Sequence, residues 1–347
     1  MDQELEQEKV KIKEIMAHYP VKSGKIHLLA SRGGRNKWRI ETDKGDMILR
    51  QEYINPARML FIAGAHWHLQ QNGLPIAQLI PTKNGGLVLS AEDHAYILYE
   101  SSNYEMIQYY NKEQMLLVMA YLAKFHEASK NYYPPEESRS RKRIGKWTKL
   151  YRWKLQELED NKRIAQFYPE NEFSALFLEH VDAMIRRGKE ALEELNQPAL
   201  ADWTRETLES HSFCQQDVTM ARLVLKDGQP FMQDLHSITI DLPSRDLRVL
   251  LNKMMKKLDV WDTKLAIDLL QAYDNAHPLK KEYYQVLWTD LKFPHLFCAA
   301  VHKYFLSQKK SWGDEKFLMN LQNVIAVEQS KGTFLQQMDP IIGKIKG

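Results

Sequence analysis

The sequence predicts an α+β protein with a small antiparallel-sheet lobe followed by a larger, mainly helical lobe. Three observations lead there. Over the first hundred residues, short strand-like runs are separated by Gly-containing turns. Beyond Glu100, apolar residues recur at three and four, as in Met115, Leu116, Met119, Leu122, Ala123 and His126. One β-rich island, Leu223 to Asp234, interrupts that helical texture.

The elements follow in order. Residues 1–20 are charged throughout, which suits a helical extension and excludes a signal peptide. Lys25 to Ala30, Lys37 to Thr42 and Met47 to Gln51 read as strands. The first two are separated by Ser31-Arg32-Gly33-Gly34-Arg35, the second and third by Asp43-Lys44-Gly45-Asp46. A helix is expected from Pro56 to Gln71, then strands at Gly86 to Ser90 and His94 to Glu100. The sheet lobe is therefore placed at residues 21–100 and the helical lobe at 101–347, with a hairpin at 223–234 turning at Asp227-Gly228. Further helices are expected around Phe173 to Met184 and from Asp246 to about Gln329.

Composition narrows the function class. The chain has 347 residues, enough for two domains at about 150 residues each. With 44% apolar and 27% charged residues it is neither disordered nor a coiled coil. Two cysteines, Cys214 and Cys298, exclude a disulfide framework. Met59 to Thr82 carries no Asp, Glu, Lys or Arg, but His66, His68 and Asn72-Gly73 break it, so no membrane span is expected. A net charge of +3 argues against a dedicated nucleic-acid binder. The default is a soluble intracellular protein.

Several residue groups could carry chemistry. Asp217 and Asp234 flank the hairpin, so one could accept a proton while the other holds a metal; both could equally cap turns. Gly33-Gly34 could fold over phosphates or form an ordinary hairpin turn. Asp241-Leu242-Pro243-Ser244-Arg245-Asp246-Leu247 reads as structural, with Ser244 capping a helix that starts near Arg245. Arg139 to Lys154 holds eight Lys or Arg and no acid, interleaved with Trp147, Tyr151 and Trp153. It could bind phosphates or an acidic partner, or be a solvated helix face with its aromatics turned inward. His66 and His68 would not share a helix face, and His126 reads as a packed core residue.

The order of these elements resembles the aminoglycoside-phosphotransferase-like kinase superfamily, and within it the bacterial spore-coat CotS-like proteins, including YutH-like members. The resemblance covers roughly residues 20–305. It is carried by Leu122-Ala123-Lys124-Phe125-His126-Glu127-Ala128-Ser129, Ile144-Gly145-Lys146-Trp147, Cys214-Gln215-Gln216-Asp217, Gln233-Asp234-Leu235 and Ile240 to Arg248. Val260-Trp261-Asp262 and Phe293-Pro294 extend it. It implies a bilobal protein-kinase-like fold, with ATP and Mg²⁺ as ligands, synthesis in the mother-cell cytoplasm and deposition in the spore coat. Other coat proteins would then be the partners, with Arg139 to Lys154 as a contact surface.

Family roles carry over one position at a time. Gly33, Gly34, Arg50 and Tyr99 match nucleotide-contacting positions, with Arg50 where a kinase has its phosphate-binding Lys. The helix Glu that would hold that Lys has no counterpart, since no Asp or Glu lies between Glu52 and Glu92. Gln215 replaces the catalytic-loop His, Asp217 is kept as the catalytic base, and Arg222 replaces the metal-binding Asn. Asp234 is kept as the metal carboxylate, with His236 two residues on. Arg50, Gln215 and Arg222 remove parts that position ATP and its metals, so the expectation is an impaired kinase with a scaffolding role and no working cofactor. Arg222 is then expected to pair with Asp217 or Asp234. The alternatives are an active phosphotransferase with Asp217 as base, and a nucleic-acid binder using the basic run.

Overall fold

The computed structural model describes residues 2–216, 218, 222–309 and 311–346. It divides into two compact units. The first comprises Met1–Ile107, Lys124–Lys142 and His211–Ile240; the second comprises Gln108–Ala123, Arg143–Ser210 and Asp241–Gly347. The antiparallel sheet and the mainly helical region expected from the sequence are both present.

The first unit contains helix α1 (Asp2–Met16), strands β1 (Ser23–Arg32), β2 (Arg35–Thr42) and β3 (Met47–Glu52), and helix α2 (Pro56–Gln71). Strands β4 (Leu79–Ile80), β5 (Leu89–Ala91), β6 (His94–Glu100), β7 (Glu105–Met106), β8 (Leu223–Lys226) and β9 (Gln229–Met232) complete it. One antiparallel sheet runs β1-β2-β3-β6-β4 with β5 on β6, and a second runs β7-β8-β9. Ile12, Ile15, Met16 and Tyr19 pack with Trp38, Ile40, Leu49 and Leu98 into a buried core cluster. The Asn55 side chain accepts from Arg58 N at 3.2 Å and Pro56 opens α2 where its missing N–H costs nothing.

Two turns set the strand register. Gly33 (φ +56°) and Gly34 (φ +74°) form a two-residue connection with Arg32 opposite Arg35. Asp227 (φ +52°) and Gly228 (φ +72°) do the same between β8 and β9. The β8–β9 hairpin is tied to the segment after α2 by Ala77 N donating to Met232 O (2.8 Å) and Met232 N donating to Pro75 O (3.1 Å). The strand expected at Gly86 to Ser90 is shifted to β5. Residues 82–86 instead close a turn, with Thr82 N donating to Gly86 O (2.9 Å) and Gly86 N donating to Thr82 Oγ1 (3.0 Å).

Helix α3 (Lys112–Ala128) runs from the second unit into the first. The rest of the second unit is α4 (Trp147–Gln166), α5 (Glu172–Glu194), α6 (Pro198–Glu209), α7 (Pro243–Lys257), α8 (Thr263–Ala276), α9 (Lys281–Lys292), α10 (His295–Phe305), α11 (Asp314–Leu335) and α12 (Met338–Lys346). Asp290 on α9 is its polar hub. It accepts from Tyr151 Oη (2.6 Å) and Arg248 Nε (3.0 Å) and lies 2.9 Å from His295 Nε2. This accounts for the Asp241–Arg248 motif as structure: Arg248 neutralises Asp290, and Asp241 accepts from Trp147 Nε1 at 2.8 Å. The expected Ser244 cap is not formed. Helix α7 starts at Pro243 with Leu242 in the cap position, and the Ser244 hydroxyl points inward, 3.4 Å from Asp290. Among the described residues, no helix is long and apolar enough to cross a membrane.

The Gly33-Gly34 turn gives a direct test. A Cβ on Gly34 would lie 3.3 Å from Tyr53 Cβ with φ at +74°. Gly34→Val should therefore lower the free energy of unfolding by about 1–2 kcal/mol, measured by urea titration.

Candidate functional site

Arg50 lies on β3, fully inside the first unit and only 4% exposed. A buried guanidinium needs anionic partners, because desolvating a lone charge is prohibitive. Its Nη2 bonds the Glu52 carboxylate. Its Nη1 donates to Leu235 O at 2.9 Å and lies 3.5 Å from Asp234 Oδ1. Glu52 is two residues along the same strand, so both side chains leave one face of the sheet. This is the carboxylate for which the sequence offered no helix candidate. The signal was present in the i, i+2 spacing on a strand ending in Arg-Gln-Glu.

Asp234 follows β9, and it gathers a second cation. Arg222 Nη1 donates to Asp234 Oδ1 at 3.0 Å. Of the two partners expected for Arg222, Asp234 is engaged; Asp217 lies outside the described residues. Arg35 Nε lies 3.3 Å from Glu52 Oε2, and His236 Nδ1 lies 3.4 Å from Arg50 Nη2. The result is a chain of alternating charges, Arg35–Glu52–Arg50–Asp234–Arg222, held within one unit.

The electrostatics follow from that chain. Burial would raise the Asp234 carboxyl, but Arg50, Arg222, Lys37 and His236 outweigh it and hold the group below its ordinary value. Burial lowers Arg50, yet Asp234, Tyr99 and Glu52 more than compensate, so it stays charged. His236 is pushed down by burial, then by Arg222 and Arg50, which favours the neutral ring.

The other expected site residues are placed as follows. Gly33 lines a cavity of about 670 Å³ together with Lys37, Arg50, Arg222, Asp234 and His236. Gly34 is its neighbour in the turn. Tyr99 is 1% exposed near the end of β6, where burial raises its hydroxyl, and it borders a second cavity of about 350 Å³. Ile48, Ala77, Phe231 and Glu100 to Tyr104 also line that space, and Lys37 and Asp234 border both cavities. Gln215 is 4% exposed, and its Nε2 donates to Met232 Sδ at 3.8 Å. His66 is buried against Ala77 O at 2.6 Å, and burial lowers it to about 4, so it serves packing. His126 is buried, and both cysteines are buried and outside any disulfide.

The basic run divides between the units. In the first, Arg139 N donates to Ala57 O (2.8 Å) and Arg141 O accepts from Ile240 N (2.9 Å). In the second, Trp147 and Tyr151 turn into the core from α4, while Trp153 is 53% exposed beside exposed Lys146, Lys149 and Arg152. Neither sequence reading holds alone: two aromatics are structural, and one stands among exposed cations.

With the geometry in place, comparison with known proteins decides the family. A family model described as "Spore coat putative kinase YutH" matches residues 40–338. The chain belongs to this family of spore-coat kinase-like proteins. It is 51% identical over 341 residues to spore coat protein S of Bacillus subtilis (strain 168), covering 98% of this chain and 97% of that one. An aminoglycoside phosphotransferase from Alicyclobacillus acidocaldarius superposes with a TM-score of 0.77 at 19% identity, covering 94% of this chain and 95% of that one. The microcompartment-associated aminopropanol kinase gives 0.58 at 12% identity, covering 94% and 98%. At such identities the likeness shows the fold, that of aminoglycoside-phosphotransferase-like kinases.

The resemblance implies Mg²⁺ at Asp234, and the described surroundings of that carboxylate do not fit it. Mg²⁺ demands octahedral oxygen donors. Here Asp234 Oδ1 already accepts from Arg222, and Arg50 stands 3.5 Å from the same oxygen. A divalent cation would have to displace one guanidinium and face the other.

The network makes two predictions. Asp234→Asn leaves two guanidinium groups short of a counter-charge and should cost about 3–5 kcal/mol, read from the urea midpoint. The depressed Asp234 carboxyl stabilises the folded chain above the ordinary carboxylate range, and that stabilisation is lost as pH falls through its lowered value. Below about pH 4, the wild type should therefore lose stability more steeply than Asp234→Asn in parallel acid titrations.

Proposed function

We propose that this chain is a spore-coat protein on a kinase fold whose phosphotransfer centre has become a structural ion-pair network. Its role is scaffolding in coat assembly. The observation that carries this is Arg222 Nη1 at 3.0 Å from Asp234 Oδ1, a cation where a kinase of this fold holds its metal. Phosphoryl transfer depends on positioned charge, and losing one such contact commonly costs about two to three powers of ten in rate. Arg50 for Lys, Gln215 for His and Arg222 for Asn remove three. Arg50 is further committed to Glu52 and to the Leu235 carbonyl, so it does not present the free point charge of a Lys.

Membership of the YutH family supports coat deposition after synthesis in the mother-cell cytoplasm. The partners under this reading are other coat proteins, met through the exposed Lys146, Lys149 and Arg152 of α4, with Trp153 as an apolar anchor. A second reading, an ATP-dependent phosphotransferase with Asp217 as base and Asp234 as metal ligand, draws on the 350 Å³ cavity beside Asp234.

Incubation with γ-labelled ATP and Mg²⁺ separates the two. The impaired reading expects no transfer or phosphate release above a no-protein control; turnover that disappears in Asp217→Ala would establish the enzyme. For the coat role, the triple variant Lys146→Glu, Lys149→Glu, Arg152→Glu should fold normally, since all three side chains are exposed. It should be largely missing from purified coats by immunoblot, and wild-type incorporation would remove α4 as the contact surface.

A further inference from the structure

We infer that the cationic cavity of the first unit binds a polyphosphate tail free of divalent metal, with Arg222 in the place of the cation. This deepens the reading of the site as catalytically impaired and rests on it. The walls of the 670 Å³ cavity carry Arg32, Arg35, Lys37, Arg50 and Arg222 against only Glu52 and Asp234. Both carboxylates are already engaged, Glu52 by Arg50 and Arg35, Asp234 by Arg222 and Arg50. Three positive charges on the walls are therefore unmatched. Arg32 and Lys37 form no salt bridge among the described residues.

Such a cavity selects its ligand by charge. Guanidinium forks match phosphate oxygens in pairs, and several of them around one space favour a ligand with three or four negative charges. Complexing that ligand with Mg²⁺ removes two of those charges and introduces a cation that Arg50 and Arg222 repel. Mg²⁺ then opposes binding instead of supporting it, the reverse of a kinase. The 350 Å³ cavity meets the cationic one at Lys37 and Asp234 and is walled by Ile48, Ala77, Tyr99 and Phe231. A planar group attached to the tail would lie there, so a nucleoside triphosphate and a bare polyphosphate share the required chemistry.

Calorimetry on the full chain with sodium tripolyphosphate, ATP and adenosine, each with EDTA and again with excess Mg²⁺, tests this. Tripolyphosphate and ATP should both bind in EDTA. Tighter binding of ATP would name a nucleotide as the source, and equal binding a bare polyphosphate. Excess Mg²⁺ should weaken either ligand by about tenfold or more, the weight of one charge-assisted contact. Arg222→Asn should reverse the order, so that Mg²⁺ strengthens ATP binding. The exposed Arg32→Glu should weaken tripolyphosphate by about tenfold while the unliganded melting curve stays close to wild type, and Lys37→Gln should weaken it in the same direction. Failure of tripolyphosphate to bind in EDTA, or tighter wild-type binding with Mg²⁺, overturns the inference; so does binding of adenosine alone. Phosphate transfer by the wild type would instead overturn the impaired reading itself, so the two failures are distinct.

Discussion

The buried guanidinium of Arg50 is the constraint around which the first unit is organised. A permanent charge inside a sheet must be neutralised, and this one draws on two sources. Glu52 is local, two residues along β3, while Asp234 comes from the far side of the β8–β9 hairpin. The hairpin is held by its Asp227-Gly228 turn and by main-chain bonds to Pro75 and Ala77. Its position therefore decides where Asp234 stands, and Asp234 in turn decides where Arg222 settles. Each charge depends on the one before it.

Under the proposed reading, that dependence sets the site apart from phosphoryl transfer. A Lys–Glu pair between strand and helix leaves an ammonium free to meet phosphate as a point charge. The Arg50–Glu52 pair closes on one strand face, and the remaining Nη1 is shared between a carbonyl and Asp234. These charges are satisfied within the unit. Around the larger cavity the lining carries more positive than negative charge.

Much of this was legible in residue order. The strands at β1, β2, β3 and β6, the helix at 56–71 and the hairpin after Leu223 all announce themselves through turn residues and periodicity. The shift of β5 was not legible, because Thr82 closes its turn with a side-chain bond that has no periodic signature. Nor was the inward turn of Ser244. Ser before a helix usually caps it, but Pro243 is pre-set for the first helical position and Asp290, 46 residues later, offers the hydroxyl a buried partner.

The sequence alone determined the charges available to the site: Arg50, Arg222 and the lack of an acid between Glu52 and Glu92. The expected strand stops at Gln51, so the pairing of Glu52 with Arg50 was not legible there, although alternation along a strand is a local rule. Only the tertiary structure decided that Arg222 rests on Asp234, and that Arg50 reaches a carboxylate 184 positions away. Periodicity is set by neighbours in the chain, whereas ion pairing in a buried site is set by which backbones fold close enough for charges to neutralise each other.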